Sequence, residues 1–232
     1  PASLPQIARL AGIDTFVCNK LSWNETNAFP HITWRWRGID GTELLAHTLP
    51  GREYNFMNTA SELIDAAHHH RETAGASSRV WFQPFGHGDG GGGPTDRMVE
   101  HARLASRLPG LPETSFGGLA AFRAALHEER ETLRAHDRDH PVWEGELYLE
   151  RHRGTYTSQA WIKRANRQLE TDLRAGEWLT TAAPPGAAAG THGPDLAAAW
   201  RAVLLNQFHD ILPGTSIAAV YDDARAQLAE AA

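Results

Sequence analysis

A single cysteine, Cys18, and only two methionines occur in the 232 residues of this chain. One thiol cannot close an internal disulfide, so no cross-linked scaffold holds the fold. Within the apolar run "DTFVC" at 14–18 the cysteine reads as strand filler rather than a nucleophile. No stretch of about 18 consecutive apolar residues is present, which excludes a membrane-spanning helix. The opening "PASLPQIARLAG" lacks the basic start and long apolar centre of a secretory signal. Positive charge is also short: 22 Lys and Arg against 28 Asp and Glu leave a net charge of −6. The basic residues are scattered rather than striped, so the electrostatic footprint of a nucleic-acid binder is missing. Neither nucleic acid nor a membrane is expected as a partner.

What is present is ordinary for a globular chain, with hydrophobic residues at 41% and charged residues at 22%. The length admits one large domain or two smaller ones. In the first part, strand-like and helix-like stretches alternate. "DTFVC" is followed by "HITWRWR" at 31–37, in which Ile32, Trp34 and Trp36 alternate with polar neighbours. "GIDG" then turns the chain into "TELLAHTLP", so the two form a hairpin. Helices are expected at 59–73, at 95–108 behind a capping Thr95, and over "GLAAFRAALHEERETLRAH"; strands are expected at 79–85 and at "ETSF", 113–116. Strand and helix in alternation predict an α/β class, layered or barrelled, over 1–140. From 141 to 232 three helical stripes, at 158–181, 196–212 and 216–230, predict a three-helix bundle. "AAPPGAAAGTHGPD", ending at Asp195 as a helix cap, connects the first two.

Chemistry concentrates in two places. The loop "GHGDGGGGPT" at 86–95 places Asp89 before four glycines at the exit of an expected strand. Glycine lets the backbone come close to a ligand, and the Lys and Ser or Thr of a phosphate loop are absent, so the nucleotide reading is weak. His87 and Asp89 also form a His-x-Asp pair, a common tripeptide without fixed geometry on glycine backbone. His68–His70 point three ways around a helix and read as a partly solvated face. The second place is "LLNQFHDILPGTS", 204–216, where His209 and Asp210 stand side by side as an apolar helix runs into Pro213 and Gly214.

Taken together, "KLSWNETNAFPHITWRWRGIDGTELLAH", "FGHGDGGGGPT", "GELYLERHRGTYTSQAWIKR" and "LLNQFHDILPGTSIAAVYDD" resemble the α-mannosidases of glycoside hydrolase family 38, in their bacterial and cytosolic branch. The resemblance implies the later part of a β/α barrel-like catalytic domain followed by a helical middle domain. It further implies a zinc-dependent retaining exo-α-mannosidase acting on mannose-containing oligosaccharides. By that resemblance His209 is a Zn2+ ligand, Asp210 accepts hydrogen bonds from bound mannose, and Asp89 is the general acid/base. Trp23 and Asn24 lie in a substrate-side loop, and Trp143 matches an aromatic that stacks on the sugar, with packing as its alternative role.

The same pattern contains an amino-terminal His-x-Asp zinc pair and a nucleophilic aspartate that no segment here matches. The chain opens on Pro1, in a segment that reads like mid-domain sequence. It is therefore expected to be an internal fragment, inactive alone, of an enzyme that admits oligomerisation. The low cysteine count and the branch resembled imply a cytoplasmic setting. Two alternatives remain at this point: a non-catalytic binding module on the mannosidase scaffold, and a different metal-dependent hydrolase built around His87 and Asp89.

Overall fold

The computed structural model describes residues 1–74, 78–184 and 196–232. The chain divides into two compact units, Pro1–Arg151 and His152–Ala232. The connector's Asp195 lies outside the described residues.

The first unit is mixed α/β. Helix α1, Leu4–Leu10, precedes strand β1, Thr15–Cys18; strands β2, Thr33–Arg37, and β3, Glu43–Thr48, form the expected hairpin. Helices α2, Ala60–Ala74, α3, Asp96–Ala105, and α4, Leu119–Arg134, follow, and strand β4, Val142–Glu144, closes the list. The sheet is open and four-stranded, in the order β1-β3-β2-β4, with β1 and β4 running parallel to their neighbours and β2 antiparallel to β3. An open sheet stands where the sequence suggested part of a barrel.

Strand alternation sorts the hairpin onto two faces. Trp34 pairs with Ala46 and Trp36 with Leu44, and these four are buried together with Ala8 of α1 and Leu21. The Trp36 indole donates to the Gly145 carbonyl at 2.8 Å, which ties the turn after β4 to the sheet. On the other face Leu45 packs with Phe122 and Leu126 of α4. Pairing with β2 places β4 in the first unit, and the division between the two compact units falls between Arg151 and His152.

Two expected strands are absent. Residues 79–85 run extended, and Val80 and Phe82 pack beside Leu45 while Trp81 and Phe85 pack beside Leu63, as alternation requires. Three of their amides are taken by side chains instead of a neighbouring strand, and Phe85 makes an isolated parallel bridge to Phe56. Glu129 Oε1 accepts from the amides of Arg79 and Val80, and His47 Nε2 accepts from that of Phe82 at 3.2 Å. "ETSF" is likewise irregular, with Phe116 exposed and its ring 6.1 Å from that of Phe85. The capping Thr95 is as expected, accepting from the Met98 amide at 3.4 Å.

In the second unit α5, Ala160–Ala182, α6, Leu196–Asn206, and α7, Ala218–Glu230, share one core of Ile162, Leu169 and Leu173, Val203, and Tyr221, Ala224 and Leu228. The spacings are those of single helical faces. Helix α6 stops at Asn206, six residues before the expected end at 212, and Phe208, read as part of its stripe, is exposed. Asn206 is buried and its amide donates to the Ala202 carbonyl and to Gln227 Oε1, both at 2.9 Å.

Candidate active site

In the first unit three segments outside the sheet converge: 20–25, which opens with a 3₁₀ turn over Lys20–Trp23, 51–55 and the glycine loop at 86–93. Glu53 Oε1 accepts from the amides of Tyr54 and Asn55 at 2.7 and 3.0 Å, which folds the middle segment tightly. Tyr54 donates its hydroxyl hydrogen bond to Asp89 Oδ2, and Asn55 Oδ1 accepts from the Gly88 amide. Trp23 donates its indole hydrogen bond to the Arg52 carbonyl at 2.8 Å and places its ring 5.9 Å from that of Tyr54. Lys20 Nζ lies over the Trp23 ring, 3.6 Å from its centroid. Asp89 is thereby joined through Tyr54 to Trp23, two sequence candidates 66 positions apart.

Asp89 is exposed and has a left-handed backbone, φ 54°, which a short polar side chain tolerates. The loop's own closure is a pair of backbone hydrogen bonds between His87 and Gly93, each 2.8 Å. Gly88 cannot be replaced without movement: an added Cβ would stand 2.8 Å from Asn55 Oδ1 and from the Tyr54 ring. The Asp89 carboxylate beside it, by hydrogen bond first and by charge, holds the Tyr54 phenol above the usual tyrosine value. Tyr54 therefore remains a donor through the neutral range. Next to Trp23 opens a depression of about 480 Å³ lined by Ser22, Trp23, Asn24, Glu25, Arg52 and Arg151. That volume is within the range of ordinary ligand clefts.

Other candidates have structural engagements. Asn24 donates to the Tyr148 carbonyl at 3.1 Å and accepts from the Glu150 amide at 2.9 Å, so its amide pins 148–150 at the rim of the depression. Glu150 in turn accepts from the amides of Glu25, Thr26 and Asn27. Trp143 lies on β4 with its ring 4.9 Å from Phe29 and 6.4 Å from His31, packed against the Trp34–Trp36 core and half-buried.

His209 and Asp210 belong to the second unit, in the turns after α6. The turn is held by Lys163, whose Nζ donates to the Leu212 carbonyl at 2.8 Å, and by Tyr221, whose hydroxyl lies 3.3 Å from the Asp210 carbonyl. Thr215 donates to Asp210 Oδ1 at 2.9 Å. Gly214, φ 88°, lies against Ser158, where a Cβ would come within 2.8 Å. The held turn projects the His209 side chain outward, 78% exposed, with Nε2 3.4 Å from Asp210 Oδ2.

A structural zinc site takes four ligands, and a catalytic one takes three from the protein with a water or substrate in the fourth position. Among the described residues no group of three or more His, Cys, Asp or Glu is arranged to hold a metal. His209 and Asp210 make two donors at most, so these residues do not by themselves fit a zinc centre. His87 is exposed and its backbone closes the glycine loop. The His68–His70 run is not uniformly solvated: His68 is exposed, His69 Nδ1 lies 2.8 Å from the Pro50 carbonyl, and His70 is buried beside Trp81. Burial pushes His70 down to about 4. Sequence reasoning missed Tyr54, an aromatic in a non-periodic stretch whose partner lies 35 residues away.

The profile described as "Glycosyl hydrolases family 38 N-terminal domain" matches residues 1–146, and that described as "Alpha mannosidase middle domain" matches 150–232. "Alpha-mannosidase G" of Dictyostelium discoideum is 41% identical over 222 residues, covering 96% of this chain and 20% of the relative. "Alpha-mannosidase 2C1" of Homo sapiens is 38% identical over 224 residues, covering 96% and 21%. The crystal structure of an α-mannosidase from Enterococcus faecalis aligns over 99% of this chain and 26% of its own, with a TM-score of 0.58 at 18% identity, and so speaks to fold alone. The chain spans about a fifth of the length of the curated relatives it matches.

Proposed function

Because this chain belongs to glycosyl hydrolase family 38, we propose that it forms part of a zinc-dependent retaining exo-α-mannosidase that removes terminal α-mannosyl units from oligosaccharides. The reading is supported most by one arrangement: a carboxylate, Asp89, presented on a glycine loop and joined through Tyr54 to Trp23 at the edge of an open depression. Aromatic faces suit the apolar faces of a pyranose, and a carboxylate beside them suits proton transfer to a glycosidic oxygen.

In a retaining glycosidase two carboxyl groups stand about 5 Å apart across the scissile bond. Asp89 is assigned here as the acid/base. Its carboxyl proton goes to the glycosidic oxygen as the bond to the anomeric carbon breaks and a second carboxylate bonds to that carbon. Asp89 then takes a proton from the water that releases the sugar. Trp23 contributes a wall of the sugar site, Asn24 fixes its rim, and Trp143 acts either on the sugar or in packing. His209 and Asp210 are assigned to the metal and to sugar hydroxyls respectively. A cytoplasmic setting belongs with this proposal.

The test uses the full-length enzyme containing this chain and an aryl α-mannoside, with the first-formed sugar followed by proton NMR. Release of α-mannose before mutarotation is the expected result. First-formed β-mannose would reject retention, and binding of mannosides with no turnover would favour a non-catalytic module.

A further inference from the structure

An acid/base on a loop flanked by Gly88 and Gly90 needs an anchor, because catalytic groups must be held to within a fraction of an ångström to be effective. The anchor is visible on one oxygen. Asp89 Oδ2 accepts from the Tyr54 hydroxyl, while among the described residues Oδ1 has no hydrogen-bond partner. The two carboxylate oxygens are thus divided between being held and being free.

Tyr54 is itself fixed from several sides. Its amide and that of Asn55 are gathered by Glu53, and Gln83 Nε2 donates to the Glu53 carbonyl at 2.5 Å. Its ring lies beside Trp23, with Lys20 Nζ 5.2 Å from the ring centroid. Its other side meets the glycine loop so closely that Gly88 has no room for a Cβ. The neighbouring Asn55 secures the same loop through the Gly88 amide. A hydroxyl on so constrained a ring can set where the carboxylate sits.

We propose that Tyr54 is the positioning residue of the acid/base: it holds Asp89 by Oδ2 so that Oδ1 gives the proton to the glycosidic oxygen and takes one from the attacking water. This rests on the assignment of Asp89 made above. The Tyr54 proton is not transferred. It stays on the phenol throughout, consistent with the direction in which Asp89 moves that phenol's titration.

The experiment compares full-length enzyme variants on two substrates that differ only in their need for acid assistance, methyl α-mannoside and dinitrophenyl α-mannoside. Tyr54→Phe keeps the ring and removes the hydroxyl. A hydrogen bond to a charged group corresponds to roughly tenfold or more in rate. The expected result is therefore a loss of about tenfold in kcat and in kcat/KM on the methyl glycoside, with KM within about twofold. The kcat/KM of the dinitrophenyl glycoside, which reports bond cleavage with a leaving group that needs little protonation, stays close to that of the parent. In an Asp89→Asn background Tyr54→Phe causes no further loss.

Equal losses of kcat/KM on both substrates, or losses that multiply when the two substitutions are combined, would overturn the inference by making Tyr54 merely structural. Should Tyr54→Phe fail to fold, Asn55→Ala, which frees the same loop through Gly88, carries the test with the same two substrates. An Asp89→Asn enzyme that treats both leaving groups alike would instead remove the acid/base assignment itself. That failure is recognisable without reference to Tyr54.

Discussion

Asp89 stands between Gly88 and the run Gly90–Gly93, and packing explains the first of these glycines. Gly88 has no space for a side chain because Tyr54 and Asn55 press against it. Gly88→Ala is therefore expected to push the Tyr54 ring and the loop apart, lowering kcat/KM of the full-length enzyme by on the order of a hundredfold. Its far-ultraviolet circular dichroism should stay that of the parent. Parental activity would show that the contact does not position Asp89. The glycine loop and its carboxylate were legible in the sequence because four glycines in a row are a local signal. Tyr54 was not, because its meaning comes entirely from contacts at long separation. Asn24 and Trp143 show the reverse case. Both stand out as residues, yet the structure gives each a task in holding backbone or core.

At the scale of elements, periodicity placed the hairpin and the helix faces well, since each buries one side. It failed where side chains replace a strand partner. The stretch 79–85 alternates like a strand, but the amides of Arg79, Val80 and Phe82 are answered by Glu129 and His47. These belong to a buried polar layer: His47 Nδ1 lies 3.0 Å from Thr33 Oγ1, Ser78 donates to Glu129 Oε2 at 3.1 Å, and His140 Nε2 stands 3.9 Å from that oxygen. Burial pushes His47 down to about 3 and His140 down to about 4, against 6.5 for a free imidazole. The unfolded chain then binds protons first as pH falls, so this contribution to stability is complete above the ordinary histidine range and is lost progressively from there toward the folded values. Both ring nitrogens of His140 lack hydrogen-bond partners among the described residues. His140→Phe is accordingly expected to raise the melting temperature at about pH 5 relative to the parent and to flatten its pH dependence. An unchanged slope would show that His140 does not contribute to the acid sensitivity. The end of α6 was misread for a related reason: apolar residues continue past Asn206, but there they line a turn tied down by Lys163 and Tyr221 rather than a helix.

For the molecule as a whole, the α/β and helical parts were legible from the change in hydrophobic period, whereas the open sheet was not. Sheet order depends on β4, three residues long, returning to the edge of β2. Each unit presents a side chain of its own: Asp89 on its anchored loop in the first and His209 on its held turn in the second. His209→Ala in the full-length enzyme is expected to remove bound zinc together with activity, as measured by metal analysis of the purified protein. Retention of the metal would refute its role as ligand. The central claim, that Asp89 is the acid/base of a retaining α-mannosidase, is tested most directly by azide rescue of the full-length Asp89→Ala enzyme on dinitrophenyl α-mannoside. Azide needs no general base to attack a glycosyl-enzyme, so faster turnover with accumulation of α-mannosyl azide is the predicted result. Turnover indifferent to azide, with mannose as the only product, would contradict it.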